Sequence, residues 1–166
     1  MGCFWGAERK FLELYGVVST AVGYQGGSTP YPTYQEVCSG MTGHAETVRV
    51  IVDPAMLTYA EVHRCFYESH DPRPGNRQGG DVGTQYRSAI YFVDERPEHV
   101  AREATATFAE RLRAAGDGLI PTEVAATGSC YLAEEYHQQY LVATSHGYCA
   151  IRGTGVSCPT GVAPNW

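Results

Sequence analysis

Cys3 stands between Gly2 and the aromatic pair Phe4 and Trp5, just ahead of an amphipathic run from Ala7 to Tyr15. That pattern hands a turn over to the first turn of a helix, where unpaired N–H groups and partial positive charge favour thiolate over thiol. A free thiol near pKa 8.5 is only a few per cent ionised at neutral pH, so a drop of about one to two units raises the nucleophile concentration about tenfold or more. A cysteine that simply fills space beside Phe4 is the plain alternative. A second pair, Cys149 and Cys158, brackets a glycine-bearing segment late in the chain. Thiol exchange needs the attacking sulfur nearly in line with its target, so cysteines on a segment that can swing suit a relay. The same spacing suits a static disulfide tying down an end. Zinc held by Cys149, Cys158, His146 and His137 is disfavoured, because the gap of eight residues between the cysteines is not a usual ligand spacing.

One carboxylate has a position that could serve chemistry. Glu46 lies in the alternating stretch Ala45 to Asp53, where Val48, Val50 and Val52 share its face and Thr47, Arg49 and Ile51 take the other. A carboxylate at the mouth of an apolar face loses solvation, so its pKa rises and it holds a proton near neutral pH.

The elements that must position these groups follow from periodicity and punctuation. Ala7, Phe11, Leu12 and Tyr15 recur at helical spacing and Gly16 supplies a stop. Val17 to Tyr24 is a predicted strand, closed by Gly26 and Gly27. A loop with two prolines, Ser28 to Thr33, delivers Tyr34 into a short segment ending at Gly40. Thr58 and Glu61 form a capping box for a helix from Tyr59 to Ser69, stopped by Asp71-Pro72. Arg73 to Gln85 carries four glycines and too few apolar residues for a strand; it is a long loop that returns into a predicted alternating strand, Tyr86 to Val93. Ala101, Ala104, Phe108, Leu112 and Ala115 form one stripe of a helix ending near Gly116. Glu123 to Thr127 is a predicted strand and Ala133 to Leu141 a short helix. Gly147 to Trp166, with four glycines and two prolines, predicts an extended, mobile tail.

This order predicts an α+β two-layer sandwich, a mixed sheet with helices mainly on one face. Early strands that follow each other without an intervening helix argue against a doubly wound parallel sheet. A length of 166 residues with 43% hydrophobic content suits a single domain, 1–166. The net charge of −6, with no Lys/Arg cluster, argues against nucleic acid or an anionic membrane as partner, and no apolar run approaches the ~20 residues that span a bilayer. Six cysteines at this density, with no signal peptide ahead of them, predict reduced thiols in the cytoplasm.

The run Gly2-Cys3-Phe4-Trp5-Gly6 resembles the active-site signature of the A-type peptide methionine sulfoxide reductases, which act on the S epimer of the sulfoxide. Further segments are similar to that family in the same order: Pro32-Thr33-Tyr34, Glu36 to Gly40, Gly43-His44-Ala45-Glu46, His70-Asp71-Pro72, Arg77 to Asp81, Gln85 to Tyr91, His137-Gln138-Gln139-Tyr140, Gly147-Tyr148-Cys149 and Gly153 to Pro159. Each is weak alone; their joint order is specific.

The resemblance implies that Cys3 attacks the sulfoxide sulfur, that Glu46 supplies the proton and that Tyr34 and Tyr86 hold the oxygen. Phe4 and Trp5 would line a pocket for the substrate methyl group, and Asp81 would support the site through hydrogen bonds. In the three-cysteine subtype, Cys3 becomes a sulfenic acid, Cys149 closes a disulfide onto it and Cys158 then takes over Cys149 for reduction by thioredoxin. No cofactor or metal is implied. The substrates would be methionine sulfoxide in proteins, in peptides or as the free amino acid, and the protein a monomer. Cys38, Cys65 and Cys130 are expected to be structural. Gly80 and Val82 stand where Asn and His are common in the family, Cys130 where an aromatic is usual, and Ala150 and Arg152 replace tail glycines. Two other readings are a silent module that binds sulfoxide peptides through Phe4 and Trp5, and a general thiol oxidoreductase in which Glu46 has no task.

Overall fold

Helix α1 (Phe4–Leu12) begins directly after Cys3, whose φ of −54° and ψ of 124° make it the N-cap. The helix therefore starts a turn earlier than the Ala7–Tyr15 periodicity suggests, because Phe4 belongs to its buried stripe with Ala7 and Phe11. This computed structural model describes residues 1–92, 95–126, 128–144 and 146–158.

Strand β1 (Val17–Gln25) pairs antiparallel with β2 (Ala45–Val52), in a register that sets Tyr24 opposite Glu46 and Val22 opposite Val48. The two-residue strand β7 (Tyr131–Leu132) adds to the far edge of β1, giving the order β2-β1-β7. Between β1 and β2 lies the one-turn helix α2 (Tyr34–Cys38), started by a capping box of Thr33 and Glu36. Helix α3 (Tyr59–Ser69) starts on the box of Thr58 and Glu61. A hairpin of β3 (Arg77–Gln78) and β4 (Asp81–Val82) follows. The chain then forms a parallel pair, β5 (Ala89–Phe92) and β6 (Glu123–Ala126), joined by α4 (Glu95–Ala114). The last helical turn is α5 (Tyr140–Ala143). The class is α+β, with antiparallel and parallel pairings both present.

Helix α1 lies on β1 and β2, and α3 packs against α1 and α4. Their shared core contains Ala7, Phe11, Phe66, Tyr67, Phe108 and Leu112, with Tyr67 stacked on Phe108 at a centroid distance of 4.9 Å. Each such large apolar side chain contributes roughly 1.5–3 kcal/mol by leaving water. A smaller cluster, Phe4, Val22, Tyr24, Val37 and Ala133, sits beneath the signature. Among the described residues no helix is long and apolar enough to cross a membrane.

Several expectations are corrected. The strand expected from Tyr86 begins only at Ala89, and Tyr86 ends a 3-10 turn, Thr84–Tyr86. Arg87 causes the bend: its guanidinium binds the carbonyls of Thr84 and Gly43, the Tyr91 hydroxyl and the Glu123 carboxylate together. Val93 and Thr127 lie outside the described residues. The expected helix over Ala133–Leu141 is instead a 3-10 turn, Glu135–His137, then α5, with Gln139 between them at φ +50°. Polar bonds override the periodicity there. Gln138 pairs its side-chain amide with both backbone groups of Val22, and the Gln139 N–H donates to Glu8 at 2.7 Å. The loop expected over Arg73–Gln85 contains the β3–β4 hairpin.

The tail is corrected as well. Residues 147–158 have no helix or strand, yet Ala150 and Cys158 are buried, and Ile151 and Val156 pack on the main core. Apolar side chains in that stretch outweigh its glycines and hold it on the body. The rest of the expected tail, 159–166, lies outside the described residues.

Candidate active site

Cys3 is where the sequence places it, at a helix start; its side chain makes no cap hydrogen bond, but the backbone N–H groups of Trp5 and Gly6 lie near its sulfur. These N–H dipoles favour thiolate, but they are outweighed. Burial first, and then the charge of Glu46, push the Cys3 pKa up to about 12. The expected thiolate is therefore a thiol at neutral pH, because Cys3, 8% exposed, gains less from two N–H dipoles than it loses in hydration. Gly2, at φ +78°, lets the chain enter the helix against Gln78, where a side chain at residue 2 would collide.

Glu46 comes from β2, and its Oε2 accepts the Phe4 backbone N–H at 2.9 Å. The carboxyl is 5% exposed and backs onto an apolar cavity of about 240 Å³ lined in part by Ala7, Phe11, Val48 and Phe66. Burial raises its pKa to about 8 although the Phe4 N–H bond pulls the other way, so it carries a proton at neutral pH. The half-buried hydroxyls of Tyr34 and Tyr86 lie near each other and feel the charge of Glu46. Burial pushes Tyr86 up to about 12 and Tyr34 upward too, so both are O–H donors at any working pH. Cys3, Glu46, Tyr34 and Tyr86 thus gather from α1, β2, α2 and the turn before β5.

Trp5 and Phe4 point to different surroundings. Phe4 is 1% exposed and covered by Tyr24, Val22, Val37 and Ala133, so it supports the site from within the core. Trp5 is half-buried; its ring stacks on Tyr140 at 4.0 Å and its Nε1–H donates to His137 Nδ1 at 3.1 Å. Glu134 braces this corner by accepting the Tyr34 backbone N–H at 2.9 Å and the Tyr24 hydroxyl at 2.8 Å. Glu8, buried on α1, accepts from Thr20 as well as Gln139 and so ties the 137–140 turn to α1 and β1.

Asp81 lies near the Tyr148 hydroxyl, while its Oδ2 is buried with no hydrogen-bond partner. Tyr148 lies near enough to feel the charges of both Cys3 and Cys149, so the tail passes over the site. Cys149 Sγ rests against Gly6: a Cβ there would stand 2.8 Å from it. Cys158 is not brought to Cys149. It is 2% exposed in the main core, its N–H donates to Glu68 Oε1 at 2.9 Å, and burial lifts its pKa to about 11. All six thiols are free. Among the other three, Cys38 sits beside the Tyr34 hydroxyl and Gln85, Cys65 lies against Lys10 and Ser69, and Cys130 neighbours Thr47. Among the described residues no group of three or more His, Cys, Asp or Glu side chains could hold a metal ion.

Spacing along the chain assigns Glu134, Tyr140 and Tyr148 no role in the site, and offers His137 only as a disfavoured zinc ligand. Three of them lie in quoted motifs, His137-Gln138-Gln139-Tyr140 and Gly147-Tyr148-Cys149, which was the available signal; Glu134 had none.

A family model described as "Peptide methionine sulfoxide reductase" matches residues 1–157. The chain is 56% identical over 165 residues to the peptide methionine sulfoxide reductase MsrA of Rhodospirillum centenum, covering 98% of this chain and 75% of that protein. It is 56% identical over 162 residues to the protein of the same name from Azorhizobium caulinodans, with 98% and 74% covered. Among solved structures, methionine sulfoxide reductase A of Corynebacterium diphtheriae superposes with a TM-score of 0.86 at 47% identity, over 97% of this chain and 80% of that one. Mxr1 from Saccharomyces cerevisiae superposes in its reduced form with a TM-score of 0.81 at 33% identity, over 90% of this chain and 84% of that one. In an unusual oxidized form of that yeast protein the TM-score is 0.63 at 30% identity, over 99% of this chain and 85% of that one.

Proposed function

The chain belongs to the peptide methionine sulfoxide reductase family, an oxidoreductase family, and on that premise we infer that it reduces the S epimer of methionine sulfoxide at Cys3 through the three-cysteine route. The observation that supports this most is the meeting of a protonated Glu46 with Cys3 at the start of α1. The sulfoxide oxygen takes a proton from Glu46 and hydrogen bonds from Tyr34 and Tyr86, which makes the sulfur electrophilic. The Cys3 sulfur attacks, its own proton restores the acid, the oxygen passes to Cys3 as a sulfenic acid and methionine leaves. Trp5, with Phe4 behind it, forms the apolar wall for the methyl group. Asp81, through Tyr148, keeps the tail in place over the site.

Cys149, already against Gly6, then attacks the sulfenic acid; a Cys3–Cys149 disulfide forms and the oxygen departs as water. Cys158 displaces Cys3 from Cys149, and a dithiol reductant of the thioredoxin type reduces the Cys149–Cys158 bond. This requires the tail to leave the core, since Cys158 is buried when the thiols are free. Such a cycle suits a monomer in a reducing cytoplasm.

Purified protein with an S-sulfoxide peptide and dithiothreitol is expected to yield methionine, and the R epimer is expected to give none. Absence of product from the S epimer would overturn the reading; disulfide reduction without sulfoxide turnover would select a general thiol oxidoreductase instead.

A further inference from the structure

The chain carries three methionines, and their surroundings differ. Met1 is 6% exposed in the main core, Met56 is 44% exposed on the turn ahead of α3, and Met41 is 86% exposed. A thioether is oxidised where peroxide can reach its sulfur, so Met41 is the first to react. Its place in the chain matters as much as its exposure. Met41 lies in the loop that joins α2, the source of Tyr34, to β2, the source of Glu46. Small residues flank it, Ser39 and Gly40 before and Thr42 and Gly43 after, so no neighbour along the chain is large enough to shield the thioether.

The loop is also fixed. The Gly40 N–H donates to the Val37 carbonyl at 3.0 Å and the Met41 N–H to Ser39 Oγ at 3.2 Å. Beyond Met41, the Thr42 carbonyl accepts the Ser28 N–H at 3.0 Å and the Gly43 carbonyl accepts from Arg87 Nη2 at 3.0 Å. Gly40 and Gly43, at φ +77° and +73°, make the bends. To carry its sulfur into the pocket of its own chain, the loop would have to give up these bonds and disturb the elements that hold Tyr34 and Glu46. A second copy of the chain needs no such rearrangement.

We propose that Met41 is itself a substrate: once oxidised, its S-sulfoxide is reduced by Cys3 of a second copy of the chain. The inference rests on the reading of Cys3 as the sulfoxide-reducing residue. Hydrogen peroxide transfers one oxygen to the Met41 sulfur and leaves as water. Cys3 of the other copy takes that oxygen as a sulfenic acid and restores the thioether. Cys149 of that copy then closes the disulfide and the oxygen departs as water, so two thiols are oxidised for each sulfoxide reduced. The R epimer stays. A sulfoxide on an exposed loop adds a polar group where water already is, so the oxidised chain keeps its fold and presents the residue from it.

The test uses Cys3→Ser protein, treated with hydrogen peroxide and desalted, as the chain to be repaired. Peptide mapping should find sulfoxide at Met41 ahead of Met56 and Met1; the reverse order would overturn the inference at its first step. With dithiothreitol alone the sulfoxide should persist. On adding a catalytic amount of wild type, roughly half of the Met41 sulfoxide, the S epimer, should return to methionine at a rate proportional to the wild-type concentration. In oxidised wild type by itself, the half-time of Met41 repair should lengthen in proportion to dilution. A free S-sulfoxide peptide in the same tube separates the two readings. If the peptide is reduced while Met41 sulfoxide persists, or if Met41 repair ignores dilution, the inference falls and the reductase reading stands. If neither is reduced, the reading of Cys3 falls with it.

Discussion

Glu46 Oε2 accepts the backbone N–H of Phe4 at 2.9 Å, so the acid on β2 is tied to the residue that follows Cys3. The bond crosses between a strand and a helix start, and in the proposed reaction it would fix where a proton is offered relative to the sulfur. The predictions below follow from this pairing and from the way the tail covers it.

Glu46→Gln is expected to slow methionine formation in a single turnover by about 10²- to 10⁴-fold, the range for losing a positioned general acid. In the wild type the rate should fall as pH rises through about 8, where the proton is lost, and the Gln variant should lack that limb. Stability follows the same sign. A carboxyl raised from 4.5 to about 8 contributes fully below 4.5 and loses that contribution progressively up to about 8. Urea midpoints should therefore favour Glu46→Gln more at pH 9 than at pH 5. A flat rate profile would remove Glu46 from the acid role.

Cys3 should alkylate slowly in the free protein at neutral pH, since burial and Glu46 lift its pKa to about 12. Removing the nearby negative charge by Glu46→Gln should speed iodoacetamide labelling above pH 8, where the wild-type carboxylate is charged. Peptide mapping after timed quenching reads this directly, and equal rates in the two proteins would contradict the coupling.

Gly6→Ala adds a methyl that would stand 2.8 Å from Cys149 Sγ and 2.9 Å from Ile151 Cδ1. Alanine improves the helix by up to about 1 kcal/mol, so the fold should hold while the tail is pushed off. The expected outcome is a Cys3–Cys149 disulfide formed about tenfold or more slowly, within the range for a misplacement of about 1 Å. Methionine release should precede it as before. Mass spectrometry of quenched reactions separates the two steps.

Cys158 should resist labelling in the reduced protein, being 2% exposed and anchored through its N–H to Glu68. Glu68→Ala removes that acceptor and is expected to expose Cys158 about tenfold or more faster, in line with about 1.5–3 kcal/mol for a lost bond to a charged group. Faster thioredoxin-dependent cycling should accompany it if departure of the tail limits the rate. No change in labelling would mean that apolar contacts alone hold the segment.

Much of this was legible in the sequence because the rules involved are local. The Thr58–Glu61 capping box starts α3, the alternation of Val48, Val50 and Val52 fixes the face of Glu46, and Cys3 falls at a helix start because an amphipathic run follows it. What only the tertiary structure decided were balances between distant groups. Two N–H dipoles at Cys3 promised a thiolate, but the burial supplied by neighbouring elements and the charge of Glu46 reversed the sign. The bend at Tyr86 depends on Arg87 reaching Gly43, and the broken helix near Gln139 depends on Glu8. The tail lies down because α3 and α4 leave an apolar seat for Cys158. The aromatic cage around His137, from Phe4, Tyr34 and Tyr136, is assembled from three separate stretches, so no spacing along the chain could announce it: propensity and periodicity act between near neighbours, whereas desolvation and hydrogen-bond competition are settled only when distant segments meet.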